Sequence, residues 1–533
     1  MEHTEQHIVA IDLGTSKIAL GVVKVNGDDV QVVYYKETAA AGIINSGVSN
    51  MVQASGPLQH LIKDAEESLN IKINQAVIGM PKYPIRQEAN SGKILDRGEF
   101  TEITQEDVDN LKRFAQETYP LQSTEREAIY GAVAQSFSDG ENFQIKEEDI
   151  VGMSSNTLEG HFKIFIGRRK ELINADSLLA KAGISARKKY FTADTTANVI
   201  LSETEMENGV ALIDFGGGST SVAVYHDGIM RHYASIPFGG KNITHDIKSE
   251  LQITERLAEN IKMAFGACMP EKLLNMSEKV LSIVDKNSTM NKKVSVKYLS
   301  EIITARVVEI LEAVLYEIQE SGLAEHLRCG IVVTGGAART ANLGILINEM
   351  SGYNVRIGYP KNDIAGYEVD GTHETSATTV LGLVNAALKE ETATCAVDTG
   401  IPYQDGVSVE TEPQTVEEEK PETDVEEVAV DQEVSYENTH EEEVHEEEVR
   451  EEEQTAEEDV TEAETEEEAT EEAETETEET EEAEEQAEEV KEKKDRWRFL
   501  KVVWGKAQSI GANINKIIDG ITDDEEDEEE SED

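Results

Sequence analysis

Two short segments combine an aspartate with glycines and hydroxyl residues in a pattern that suits phosphate chemistry. They are residues 12–17 (DLGTSK) and residues 214–220 (DFGGGST). Glycine lets the backbone approach a phosphate closely and direct N–H groups at it, and Ser and Thr add hydroxyl donors. A carboxylate instead suits Mg²⁺, which keeps part of its water shell when a protein binds it. Asp12 and Asp214 are therefore predicted to hold Mg²⁺, and Lys17 to neutralise phosphate charge.

Both segments lie in a unit that occurs twice. The predicted strands are residues 8–11, 18–25 and 30–35 in the first copy and residues 210–213, 221–225 and 229–236 in the second. In each copy an Asn-Gly or Asp-Gly turn precedes the third strand. One copy alone would be interpreted as a plain surface turn. Two copies about two hundred residues apart favour a duplicated α/β architecture, in which two facing turns clamp a polyphosphate.

The turns define the predicted phosphate-binding set, which is Gly14, Thr15, Ser16, Lys17, Gly216, Gly217, Gly218, Ser219 and Thr220. The sequence contains no GxxxxGK[ST] motif, so this set is not a Walker A loop. A third glycine cluster follows an apolar strand and contains Gly335, Gly336 and Ala337. Alone, that cluster is a common strand-to-helix turn. After two phosphate hairpins, it also fits a backbone platform for a nucleoside.

A predicted helix over residues 254–265 places Glu259 and Lys262 three positions apart, on one face. One interpretation is a solvated surface ion pair. The other is that both groups reach the ribose and base of a bound adenosine.

Charge divides the 533-residue chain into two parts. Residues 401–533 contain 55 acidic and 10 basic residues, whereas residues 1–400 contain 54 and 38. The first part alternates short apolar strands with helical patterns and is long enough for two or more lobes. Residues 410–490 are rich in Glu, Thr and Ala, which predicts a disordered, extended linker. An acidic balance of this size disfavours nucleic acid as a partner.

Three features predict a cytoplasmic protein. Three widely spaced cysteines form neither a disulfide framework nor a CxxC pair. The first residues lack the basic and apolar regions of a secretory signal. No apolar run is long enough to span a bilayer.

A basic, aromatic segment follows the acidic linker. Residues 491–521 contain eight basic and three acidic residues, and an apolar series steps through them by three or four positions. This pattern predicts an amphipathic helix that lies on an anionic membrane surface. The residues predicted to contact the membrane are Trp497, Phe499, Leu500, Lys501, Trp504 and Lys506. Docking on another protein, or on the chain's own core, is the alternative.

Five segments in order carry a family resemblance: residues 11–17, 210–220, 233–240, 333–338 and 355–360. Together they resemble the actin-like, DnaK-like ATPase superfamily, and most closely the FtsA family of bacterial cell division proteins. The resemblance covers about residues 7–390. It implies a duplicated actin/DnaK-like (ribonuclease H-like) α/β ATPase fold with an FtsA-type inserted subdomain. The linker is longer and more acidic than the family pattern, and an acidic tail follows the amphipathic segment.

The resemblance also implies a division into subdomains. The expected ranges are 7–83 with 168–203 and 371–390 for the first lobe, 84–167 for the inserted subdomain, 204–240 with 326–370 for the second lobe, 241–325 for its outer subdomain, 391–490 for the linker, 491–521 for the amphipathic helix and 522–533 for the acidic tail.

Further roles come from the same resemblance. It implies ATP and Mg²⁺ as cofactors, with Asp194 as a third catalytic candidate near the attacking water. It places Arg306 where relatives bind the acidic tail peptide of FtsZ, although Arg306 is also explained by a helical ion pair with Glu301 or Glu309. The expected function is an ATP-binding scaffold, with at most weak ATPase activity. It would tether the FtsZ ring to the inner face of the cytoplasmic membrane at the division site, form protofilaments and recruit other division proteins.

A second class of function stays open from the residues alone. A soluble enzyme or chaperone of the same fold, such as a sugar kinase or a DnaK-type protein, would use the C-terminal helix to dock a protein. A charged linker and an amphipathic helix serve neither function well, because a chaperone needs a folded domain there and a kinase needs a substrate cleft with its own base.

Overall fold

The structure is a computed structural model that describes residues 6–27, 29–283, 292–361, 369–390, 394–398 and 434–436. Of the predicted linker, the structure describes only residues 394–398 and 434–436, each of which includes a three-residue strand. The predicted amphipathic helix and acidic tail lie wholly outside the described residues. None of the helices in the described ranges combines the length and the apolar character needed to cross a bilayer.

The chain begins with an antiparallel meander whose first two strands are buried on both faces over most of their length. In chain order the first elements are β1 (Gln6–Leu13), β2 (Lys17–Asn26), β3 (Asp29–Ala39), β4 (Ile43–Ile44), β5 (Gly47–Val48), α1 (Met51–Leu69), β6 (Ile71–Ile73) and β7 (Gln75–Gly79). The side chain of Asn50 caps α1 by accepting from the Gln53 amide, so the helix begins where an orphan N–H finds a partner. One face of α1 then packs on the sheet through residues such as Leu58 and Leu61.

A separate small sheet follows. Its elements are β8 (Ile85–Glu102), α2 (Gln105–Glu117), β9 (Glu127–Ser138), α3 (Glu147–Ile150) and β10 (Ser154–Arg168). The three strands are antiparallel in the order β8-β10-β9. A capping box between Thr104 and Asp107 starts α2, and its apolar face covers the sheet. Phe137 and Phe162 meet edge to face at 6.1 Å within this core, so the insertion has a core of its own.

The chain then returns to the first sheet and crosses to a second one. The elements are α4 (Arg169–Lys181), β11 (Ser185–Tyr190), α5 (Thr192–Ile200), α6 (Glu203–Asn208), β12 (Val210–Phe215), β13 (Thr220–His226), β14 (Ile229–Ile236), α7 (Gly240–Leu251) and α8 (Glu255–Phe265).

The remaining elements complete the second sheet and its outer part. They are β15 (Val280–Ile283), β16 (Lys292–Ser295), α9 (Val296–Glu320), β17 (Ile331–Thr334), α10 (Leu343–Ser351), β18 (Val355–Ile357), α11 (Thr378–Lys389), β19 (Ala396–Asp398) and β20 (Val434–Tyr436). α9 buries an apolar stripe along its whole length. α11 packs back on the first sheet, with Val380 and Leu383 buried in that core.

The two large sheets have the same topology. Their orders are β11-β7-β1-β2-β3 and β18-β17-β12-β13-β14, and in each sheet an antiparallel meander is extended by two parallel strands. The predicted strands are present in both copies, each at least as long as expected. Asp12 lies opposite Ala19 and Asp214 opposite Ser221, beside the connecting turns of equivalent hairpins. The duplication predicted from the repeated segments is therefore confirmed.

Candidate functional site

The two equivalent hairpins face each other across a cavity of about 450 Å³. Their contact is close enough that the second turn depends on glycine. A Cβ on Gly217 would lie 2.1 Å from Ser16 Oγ, and a Cβ on Gly218 would lie 2.5 Å from Thr15 Oγ1. The glycines therefore allow the backbones of the two turns to approach each other closely. The N–H groups of both turns then lie beside one cavity.

Hydroxyl groups connect the first hairpin to the second. The Ser46 amide donates to Thr15 Oγ1 at 2.9 Å, and the Ser46 hydroxyl lies 3.4 Å from the Ser219 hydroxyl. Ser46 follows the short strand β4, and its backbone has a positive φ of 67°. This loop holds the two turns together at one wall of the cavity.

The N-terminus of α7 is attached to the second hairpin. The amide of Gly240 donates to the Gly216 carbonyl at 3.0 Å, and the amide of Lys241 donates to the Gly217 carbonyl at 2.8 Å. These bonds occupy the turn carbonyls, so they hold that turn on the helix. The positive end of the α7 dipole lies beside the turn, where it favours an anion.

Asp12 and Asp214, the two predicted metal-binding carboxylates, both line the cavity. Burial raises the pKa of Asp12, even though the ammonium groups of Lys82 and Lys17 act in the opposite direction. Gly335, directly after β17, adopts a φ of +91°, and a Cβ there would lie 2.5 Å from Asp214 Oδ1. A glycine is required at this position for two reasons. The positive φ disfavours any other residue, and the Asp214 carboxylate occupies the space that a side chain would need.

Lys82 is a cavity residue that the sequence reasoning missed. Its ammonium lies 2.5 Å from Asp214 Oδ2 and 3.2 Å from Thr379 Oγ1. Burial by itself would lower the pKa of Lys82, but the carboxylates of Asp214 and Asp12 reverse this, and the pKa lies above that of ordinary lysine. A signal was present: Lys82 closely follows β7, which runs parallel to β1, so both strands end at the same sheet edge.

Lys17 lies on the cavity wall with its charge already partnered. Its ammonium contacts the Glu37 carboxylate and donates to the Ser376 carbonyl at 3.0 Å. Burial lowers the pKa of Lys17. Burial alone would raise the pKa of Glu37, but Lys17 and the hydroxyls of Tyr35 and Ser376 hold it below the ordinary value. The predicted phosphate lysine therefore belongs to a polar cluster that connects β2, β3 and the start of α11.

Glu259 and Lys262 form the ion pair that their spacing predicts. Lys262 Nζ lies 2.9 Å from Glu259 Oε2, 2.8 Å from Thr244 Oγ1 and 3.0 Å from the Gly240 carbonyl. Both residues line the cavity, so the pair is not an isolated surface contact. Lys262 thereby links α8 to the first turn of α7.

Two predicted residues lie outside the cavity lining. The Thr220 hydroxyl is fully buried and donates to the Phe238 carbonyl at 2.8 Å. Successive side chains of a strand point to opposite faces, so Ser219 and Thr220 cannot both face the same space. Asp194 lies in the first turn of α5 and is not among the lining residues. The remaining predicted phosphate and nucleoside residues all line the cavity.

The lining also contains residues from parts of the chain that carry no phosphate motif. Besides Lys82 and Glu37, they are Ser46, Gly240, Ile243, Met263, Gly266, Arg339, Thr340, Thr375, Ser376, Thr378 and Thr379. They surround the motif residues with hydroxyls, one further cation and a few apolar groups.

Within the described residues, no group of three or more His, Cys, Asp or Glu side chains could hold a metal ion by itself. The chemistry of the cavity fits Mg²⁺ in another way. Mg²⁺ is usually bound through one or two carboxylates together with water and substrate phosphates. Asp12 and Asp214 supply two carboxylates, and the glycine turns supply donors for the phosphates.

Comparisons with known proteins agree with this geometry. The structure is similar to the type IV pilus biogenesis complex PilM-PilN, with a TM-score of 0.51 and 12% identity, covering 72% of this chain and 98% of the other. The FtsA cell division protein of Neisseria meningitidis is 30% identical over 397 residues, which are 73% of this chain and 92% of that protein. The FtsA of Bacillus subtilis is 25% identical over 350 residues, 66% of this chain and 78% of that protein. A family model described as cell division protein FtsA matches residues 211–382.

The duplicated sheets with facing hairpins define an actin-like ATPase fold. Within that class, the chain belongs to the FtsA family of cell division proteins.

Proposed function

We propose that this chain binds ATP with Mg²⁺ in the cavity between the two hairpins. The observation that supports this most directly is that Asp12 and Asp214, one from each copy of the repeat, line the same cavity as both glycine turns. A cavity of about 450 Å³ lies within the size range of small-molecule sites. Mg²⁺, when bound, would neutralise phosphate charge beside these carboxylates.

The nucleotide orientation follows from the chemistry of the two walls. The turns at Gly14 and Gly216–Gly218 offer N–H and hydroxyl donors for phosphates. The backbone at Gly335–Ala337 and the pair Glu259–Lys262 offer a platform with polar groups for a nucleoside. Weak ATPase activity is compatible with this arrangement, with Asp12 and Asp214 as the catalytic candidates, whereas Asp194 lies outside the cavity lining.

We further propose that the chain is a tethering scaffold. In this role it binds the nucleotide without catalysing a metabolic reaction. Membership of the FtsA family supports a division scaffold that binds the FtsZ tail peptide, assembles into protofilaments and recruits other division proteins. The basic aromatic segment 491–521 supports attachment to the inner face of the cytoplasmic membrane. An extended acidic linker, predicted from the composition of residues 410–490, would give the attached core a long reach. The alternative of a soluble kinase or DnaK-type chaperone is disfavoured by the same family membership.

Calorimetric titration of the full chain with ATP tests the nucleotide proposal. Wild type should bind ATP with Mg²⁺ and lose most of that affinity in EDTA. Asp12→Ala and Asp214→Ala should each weaken Mg²⁺–ATP binding by about tenfold or more, because each removes a carboxylate from the metal. Asp29→Ala, an exposed acid at the start of β3, is the matched control and should bind as wild type does. Wild-type affinity in both site variants would refute the proposal.

A further inference from the structure

Lys82 makes a contact that crosses between the two halves of the fold. It follows β7 of the first sheet, whereas its partner Asp214 is the last residue but one of β12 in the second. The separation of 2.5 Å between Lys82 Nζ and Asp214 Oδ2 is that of a direct ion pair, and both side chains are largely shielded from solvent. The pair therefore connects the halves at the carboxylate end of the cavity.

This ion pair uses a carboxylate that the proposed function assigns to Mg²⁺. An ammonium and a divalent cation beside one shielded carboxylate repel each other strongly, because little water screens them. When Mg²⁺ takes Asp214, Lys82 must find another anion. The phosphates that accompany Mg²⁺ are the anions that enter the same cavity.

The other cations of the cavity have partners that Mg²⁺ does not claim. Lys17 contacts Glu37 and the Ser376 carbonyl, and Lys262 contacts Glu259. Arg339 lies 3.5 Å from Glu374 and is half exposed. Lys82 differs from all three in having its ion-pair partner at the proposed metal site.

The backbone at Lys82 is attached to other parts of the molecule. The Tyr233 hydroxyl donates to the Lys82 carbonyl at 3.2 Å. A few residues along the chain, the Gln87 side chain accepts from the Tyr233 amide at 3.1 Å and lies 2.7 Å from His232 Nδ1. Gln87 belongs to β8, the first strand of the inserted sheet. A shift of the Lys82 backbone would therefore displace Tyr233 and, through it, Gln87 of the inserted sheet.

We propose that Lys82 binds the terminal phosphate of a nucleoside triphosphate, leaving Asp214 when Mg²⁺ and the triphosphate enter. A diphosphate lacks that phosphate, so the Lys82 ammonium gains no such partner when Mg²⁺ and a diphosphate enter. Lys82 thus lets the site distinguish a triphosphate from a diphosphate. Its movement changes the structure at the start of β8 in one case and not in the other. This inference rests on the proposed binding of ATP.

The test compares affinities for Mg²⁺–ATP and Mg²⁺–ADP in Lys82→Met. We expect Mg²⁺–ATP to bind about tenfold more weakly, whereas Mg²⁺–ADP weakens by less than about threefold, since its binding does not use Lys82. Lys82→Arg should retain the preference for ATP, because it keeps a cation there. Lys36→Met, which removes an exposed lysine paired with Asp64 at 2.9 Å, should change neither affinity.

Hydrogen exchange gives a second readout that does not depend on affinity. At saturating nucleotide, amides of residues 85–90 should exchange differently with ATP and with ADP in wild type, and this difference should be absent in Lys82→Met. Should Lys82→Met fail to fold by circular dichroism, Lys82→Gln, which keeps a donor for Asp214, replaces it. Equal weakening of both nucleotides, or no weakening of ATP, would overturn the inference while leaving the proposed function intact. If wild type bound neither nucleotide, the proposed function itself would fail.

Discussion

Arg306 of α9 and Asp246 of α7 form a two-point ion pair, with Nε 2.5 Å from Oδ2 and Nη2 3.1 Å from Oδ1. Arg306 Nη1 also lies 2.6 Å from Glu309 Oε2, which is the helical pair that its spacing predicted. The guanidinium is therefore engaged on two sides. An acidic peptide that used Arg306 would compete with Asp246 for the same fork of donors.

This competition gives a specific prediction for the FtsZ tail peptide. Arg306→Glu should weaken peptide binding about tenfold or more, because it reverses the charge at the contact. Asp246→Asn should strengthen binding, since it removes the internal competitor. Fluorescence anisotropy of a labelled peptide measures both. If Arg306 has only a structural role, Asp246→Asn will not tighten binding, and the peptide site will have to be sought elsewhere.

Gly218 offers a test of the contact between the hairpins. A Cβ there would lie within 2.8 Å of three Thr15 atoms, so Gly218→Ala should force the two turns apart and weaken Mg²⁺–ATP binding by at least about tenfold. Gly56→Ala is the control, because a Cβ at Gly56 meets nothing within 4 Å on helix α1. The control should leave ATP affinity unchanged, and its effect on the melting temperature is governed by the contact of the new methyl group with Pro57, the next residue of the helix. Titration calorimetry and thermal melting separate the two effects, and unaltered affinity in Gly218→Ala would contradict the close approach.

Glu37 predicts a pH dependence of stability. Its pKa is below the ordinary value of 4.5 in the folded chain, so its stabilising effect is complete above pH 4.5 and disappears as the pH falls through the lower folded value. Glu37→Gln should therefore lower the stability by about 1–3 kcal/mol at pH 7, as expected for losing hydrogen bonds to a charged group. The difference from wild type should shrink as the pH drops below 4.5. Urea unfolding across this pH range measures it.

The control for that series is Glu67→Gln. Glu67 pairs with Lys63 at 3.4 Å on the exposed face of α1, where an ion pair contributes less than about 0.5 kcal/mol. A difference between Glu37→Gln and wild type that stayed constant down to pH 3 would show that the Glu37 charge is not the source of the effect.

The membrane proposal concerns the segment 491–521, outside the described residues. Full-length protein should sediment with anionic vesicles, and a chain ending at Val490 should not. Trp497→Glu with Trp504→Glu should abolish binding, because two charges would have to enter the apolar interface. Trp497→Phe with Trp504→Phe keeps the apolar character and should still sediment. Tryptophan fluorescence reports contact directly, since both tryptophans of the chain lie in this segment.

The acidic tail modifies this prediction. Deleting residues 523–533 should strengthen vesicle binding at low salt and have little effect at high salt, because the tail competes electrostatically for the same basic residues. If the wild-type tryptophan emission did not shift to the blue with anionic vesicles, the segment would instead be a site for a protein partner.

Local chemistry made much of the candidate site predictable. The Asp-Gly-hydroxyl turns are short, the strands beside them are apolar runs, and the whole unit is repeated, so the sequence alone determined two equivalent hairpins and the residues at their tips. The Glu259–Lys262 pair was predictable for the same reason, because residues three positions apart on a helix have neighbouring side chains. The prediction that residues 491–521 form a membrane-binding helix depends on the sequence pattern alone.

Only the tertiary structure decided which distant groups complete the cavity and which local candidates do not reach it. Lys82 follows the end of β7, Glu37 lies in β3, and Thr379 lies at the start of α11. No spacing in the sequence relates these three residues to Asp214. Thr220 was predicted from its place in the turn motif, but the strand register buries its hydroxyl against the Phe238 carbonyl. The physical reason is that spacing along the chain determines side chains within one element, whereas the packing of two sheets determines which elements meet.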